Sequence, residues 1–205
     1  MAKKKSAKEV IFDDSNWKTR TPRYDVAEAN FGRVLAVRMA PGDDLYGTTV
    51  KICKEKGVKA GVIVSVAASL QRATLRNVWQ FPNPWPINDE CRIFTPIEGP
   101  LELLQMSGNI TQTEKGETYL HAHATISMGR PEGTCFGGHL VEGCTIFSTC
   151  EMVIAEIDNL AFMRLMDKQT KVGEIYGIPT DGMSKADISK EVARRKARPS
   201  PHGKK

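Results

Sequence analysis

With 205 residues, 40% hydrophobic and 26% charged, the chain has the makings of one globular domain with tails and enough apolar material for a core. No window approaches the roughly 18 consecutive apolar residues of a membrane span, and the lysine-rich start has no apolar segment behind it, so a cytoplasmic protein without a membrane partner is expected. The net charge of +5 resides at the ends, with +3 on residues 1–10, +6 on residues 185–205 and −4 on the body between them, a distribution that excludes a broadly basic nucleic-acid face. The five cysteines include no C-x-x-C pair, which points to buried thiols rather than a disulfide framework or a thiolate zinc knuckle.

Residues 1–29 show no sustained period and read as an irregular basic leader. From Arg33 to Met39 the pattern suits a strand. Ala40-Pro41-Gly42-Asp43-Asp44 then makes a turn ending in a helix N-cap. A helix is expected next, with Leu45, Thr49, Ile52 and Cys53 on one face and Gly57 at its C-terminal end. Two strands are read at 60–67 and 69–79. Residues 80–96, with Pro82, Pro84, Pro86 and Pro96, read as an irregular loop.

Strand character resumes at 99–110, and a turn near Gly116 leads into the stretch Tyr119 to Met128. Side chains alternate across a strand, so His121 and His123 project from one face. Gly137-Gly138 is expected to bend the chain and bring His139 round as the third member of a triad. Three imidazoles leave one tetrahedral position open, the usual arrangement of catalytic zinc, although sheet histidines held by hydrogen bonds would give the same spacing. Cys135, between the two motifs, is a weaker candidate ligand or nucleophile.

Two further β-like runs fall at 145–149 and 152–157. Residues 166–183 read as loop, Ser184-Lys185-Ala186-Asp187 as a capping box for a short helix, and the end as a basic tail. Together these features predict an α+β fold, a mainly antiparallel sheet with one early packing helix, in a compact single domain over residues 30–165 with an extension over 166–205.

The motifs Pro41-Gly42-Asp43-Asp44-Leu45, Ala68-Ser69-Leu70, Gly99-Pro100-Leu101-Glu102-Leu103-Leu104, His121-Ala122-His123 and Gly137-Gly138-His139-Leu140 resemble, in that order, the PPC domain shared by plants and prokaryotes. Ala68 departs from the glycine usual in the family, and the proline-rich loop is longer. The resemblance implies a homotrimer and a metal, generally zinc, held by His121, His123 and His139. The Arg-Gly-Arg-Pro hook by which plant members enter A·T-rich minor grooves is absent; Gly129-Arg130-Pro131 falls at a turn. Two functions are therefore expected. One is a zinc-dependent hydrolase or lyase acting on a small molecule, with Glu102 as general acid or base. The other is a trimeric module whose basic tails make weak, sequence-independent contacts with nucleic acid.

Overall fold

The computed structural model describes residues 24–82, 87–167 and 171–197, so residues 1–23 of the leader expected over 1–29, and the tail from 198, lie outside the described residues. The fold is α+β. Eight strands form one sheet in the order β1-β6-β2-β5-β4-β3-β7-β8, with β2 also paired to β3. The strands are β1 (Phe31–Met39), β2 (Gly61–Val78), β3 (Arg92–Thr113), β4 (Thr118–Met128), β5 (Cys135–Leu140), β6 (Thr145–Ile157), β7 (Leu160–Met166) and β8 (Gly173–Pro179), and the helices are α1 (Leu45–Glu55) and α2 (Lys185–Ala197). All pairings are antiparallel except the short β3–β7 contact. No helix among the described residues is long and apolar enough to cross a membrane.

The early helix forms where its cap and apolar period place it. Asp44 takes extended backbone angles and its Oδ1 accepts from Gly47 N at 2.8 Å, while Leu45, Thr49 and Cys53 are buried. Gly57, just past the helix, has φ +69°. The other carboxylate oxygen, Asp44 Oδ2, accepts from Gly143 N at 2.8 Å and Cys144 N at 3.0 Å, tying the helix start to the β5–β6 connection. Asp44→Ala would thus lose a cap and strand two further N–H groups. It should destabilise the fold by about 2–4 kcal/mol in denaturant titration, with Asp44→Asn recovering part of that loss.

The runs at 60–67 and 69–79 prove to be one 18-residue strand. β3 runs alongside nearly all of β2, whereas its other edge pairs with β6 up to Arg72 and with β5 at Leu75 and Arg76. A register shift between Leu70 and Arg72, seen against both β3 and β6, marks where the partner changes. Because β3 also pairs with β4, and β4 with β5, the strands β2, β3, β4 and β5 form a closed cycle. Leu70, Leu101, Leu120, Leu140 and Ile146 meet Leu45 in one core cluster. Each such side chain contributes about 1.5–3 kcal/mol by leaving water.

Three further expectations are corrected. Residues 92–96 are strand rather than loop, with Pro96 opposite Thr74, because a 22-residue β3 is held along its length by β2. Residues 145–157 form a single strand between two neighbours. Residues 173–179, expected as loop, form β8, paired in full to β7. The capping box is present: Ser184 N donates to Asp187 Oδ2 and Asp187 N to Ser184 Oγ, each at 3.2 Å.

Candidate metal centre

Along β4, Leu120, Ala122, Ala124 and Ile126 are buried in the core, while His121 is half-buried and His123 exposed on the opposite face. His139 of β5 lies directly across from His123 and is buried. The ring centroids are 5.5 Å (His121–His123), 4.8 Å (His121–His139) and 5.2 Å (His123–His139) apart. Sheet register alone assembles the triad. Gly137 and Gly138 do not bend the chain, since both are paired strand residues opposite Thr125 and Ala124. A Cβ at Gly138 would sit 2.7 Å from Asn77 Oδ1, so a larger residue there would displace the Asn77 side chain, which donates from Nδ2 to Gly137 O at 3.1 Å.

One donor nitrogen from each histidine lies within 4.8 Å of the other two, and no Cys, Asp or Glu among the described residues joins the group. Metal–imidazole bonds of about 2.0–2.1 Å require tetrahedral donors roughly 3.3–3.4 Å apart, so ring rotations of about an ångström close the set around one ion. The protonation states suit this. Burial first, then the charge of Arg164, lowers the His121 pKa to about 4, while burial first, then Arg76, lowers that of His139 to about 3. Both rings are therefore neutral at pH 7, as ligation requires.

Arg164 comes from β7, which joins the end of β3 at Gln112 and Thr113. Its Nη2 lies 2.9 Å from His121 Nδ1, its Nη1 donates to Gly173 O at 2.6 Å, and its guanidinium lies 4.8 Å from the Tyr119 ring centre. Arginine has no acceptor, so His121 Nδ1 must accept and the neutral ring then carries its proton on Nε2. Arg76 stands opposite His139 across the β2–β5 pairing. Tyr46 of α1 completes the surroundings; burial, then the nearby Tyr119 and Glu142, raises its pKa.

Of the other candidates, Cys135 is exposed, donates to Gly133 O at 3.3 Å and is outside the donor group. Glu102 is exposed and pairs with Ser127, four residues beyond His123 on the same face of β4. At about 3.4 Å per residue that separation is roughly 14 Å. Sequence reasoning missed Arg76 and Arg164. Arg76 sat in a strand read only for its apolar period, and Arg164 lay outside every motif, reaching the site through a long-range pairing.

The profile of the Plants and Prokaryotes Conserved (PCC) domain matches residues 26–158. The chain belongs to the PCC family. All three histidines lie inside the matched segment, and Arg164 lies just beyond it. Among solved structures of this fold, the metal-containing protein AF0104 of Archaeoglobus fulgidus is 25% identical, with a TM-score of 0.62 over 75% of this chain and 99% of that one. A PPC protein of Pyrococcus horikoshii is 25% identical, with a TM-score of 0.60 over 73% of this chain and 96% of that one. The bifunctional protein GlmU of Synechococcus sp. (strain JA-2-3B'a(2-13)) is 29% identical over 150 residues, covering 73% of this chain and 21% of GlmU. The PCC chain thus spans about a fifth of the length of the curated relatives it matches.

Proposed function

We propose that this PCC-domain protein binds one divalent transition metal, zinc in the first place, at His121, His123 and His139, and uses it on a small molecule in hydrolase or lyase chemistry. The observation that carries this reading is the convergence of three imidazoles with no fourth protein donor among the described residues, an arrangement that suits a catalytic rather than a closed structural site. The ion would supply Lewis acidity toward a carbonyl or phosphoryl oxygen. In the metal-free fold Tyr119 holds Arg164 through its ring face, and Arg164 holds the His121 ring by a hydrogen bond to Nδ1. A homotrimer and a cytoplasmic location belong to the same proposal; exposed Val64, Leu104 and Phe147 on β2, β3 and β6 offer apolar surface for assembly.

Elemental analysis of the full-length protein, purified without added metal, should find about one transition-metal ion per chain. A content near zero sinks the reading. Glu102→Gln should leave that content unchanged; loss of turnover in this variant with metal retained would support its proposed acid–base role, whereas unaltered turnover would end it. The nucleic-acid alternative draws less support. Within α2, Lys190, Arg194, Arg195 and Lys196 all pair with the protein's own carboxylates, Asp187, Glu191, Asp25 and Glu114.

A further inference from the structure

Two arginines flank the triad, and among the described residues neither forms an ion pair. Arg164 is half-buried, and its Nε is fully buried with no hydrogen-bond partner. Arg76 is opposite His139, so its side chain leaves the sheet on the triad's face. A buried guanidinium without a counter-ion is costly, and such groups are ordinarily answered by an anion.

The contact with His121 sharpens the case. While Nδ1 accepts from Arg164 and Nε2 holds the proton, that ring has no lone pair left for a metal. Ligation by all three histidines requires this hydrogen bond to break, which leaves Arg164 with a second unmet N–H beside the open position. The planar guanidinium fork suits a carboxylate or phosphate, which it can bind through two parallel hydrogen bonds.

We propose that the site takes a small ligand bearing an oxyanion group, carboxylate or phosphate, held by Arg164 and Arg76 beside the triad. The inference rests on the metal-site reading above. It also couples the two ligands: an anion that draws Arg164 off His121 favours the metal, and the metal favours the anion by the same factor.

The test uses full-length protein loaded with cobalt(II), its metal content measured first. It is titrated with acetate and, separately, with inorganic phosphate at constant ionic strength, and binding is read from the visible cobalt absorbance. Saturable binding of at least one anion is expected, and Arg76→Gln and Arg164→Gln should each weaken it about tenfold or more at unchanged cobalt stoichiometry. Preference for one probe identifies a carboxylate or a phosphate ligand. Among the described residues the Arg76 side chain makes no hydrogen bond, so its variant keeps the test readable if loss of the Arg164–Gly173 contact disturbs β8. Loaded protein that binds neither anion overturns the inference, as does affinity unchanged within about twofold in both variants. Wild-type protein that takes up no cobalt overturns the metal-site reading and this inference with it.

Discussion

Replacing His139 with alanine should weaken divalent-metal binding by at least about 100-fold, measured by competition with a chromophoric chelator. His139 is the most buried member of the triad and lies opposite His123, so its loss leaves two donors on a single strand. The same substitution should change how the metal-free protein responds to acid. The His139 pKa is lowered to about 3 in the fold, chiefly by burial, against an ordinary value of 6.5. Between these limits the unfolded chain binds a proton that the folded chain does not, so stability falls as pH drops below about 6.5. Removing the ring removes that component. The slope of unfolding free energy against pH should flatten between pH 6 and 4 by up to ~1.4 kcal/mol per pH unit, less whatever solvent screening takes from a site open on one side. An unchanged slope would show that His139 is not held neutral by its surroundings.

Gly108→Ala should be the most damaging substitution of a glycine near the site. Gly108 faces Ala122 across the β3–β4 ladder, between the two histidines of β4. A Cβ there would lie 2.5 Å from His121 O, 2.6 Å from Ala122 Cβ and 2.7 Å from Ala122 Cα. Two of these atoms are backbone, so no side-chain rotation relieves the clash; β3 and β4 must separate. A destabilisation on the order of 3 kcal/mol in denaturant titration is expected, together with weaker metal binding because the displaced strand carries His121 and His123. Gly137→Ala is the matched comparison. Its Cβ would meet nothing nearer than Ala124 O at 3.6 Å, ordinary contact, and the change should stay within about 1 kcal/mol. Equal effects of the two substitutions would contradict the strand spacing described here.

Local chemistry made some of the fold and site legible in advance. Asp44 and Gly57 bound α1 because capping and positive φ are short-range demands, and the alternation His121-Ala122-His123 places two rings on one face whatever the sheet around them does. Long-range pairing hid the rest. Nothing local to Ala68-Ser69 says that β2 continues through it; β3 on one side and β6 on the other keep it extended. His139 joins the other two rings by a route the sequence does not suggest, since its register opposite His123, rather than a glycine bend, brings it there. Arg164 depends on β7 joining the end of β3 in parallel, a pairing with no short-range signal.

The first and last strands of the family segment lie side by side. Phe31 of β1 is paired with Ile157 of β6, Asp158 N donates to Asn30 O at 3.1 Å, and Asn30 N donates to Asn159 Oδ1 at 2.7 Å. A polypeptide therefore enters and leaves this domain through nearly the same point. Such a module can be spliced into a longer chain as a single outgrowth, without stretching its host or opening its own sheet. This geometry accords with a PCC-like stretch making up only 21% of the GlmU chain it matches.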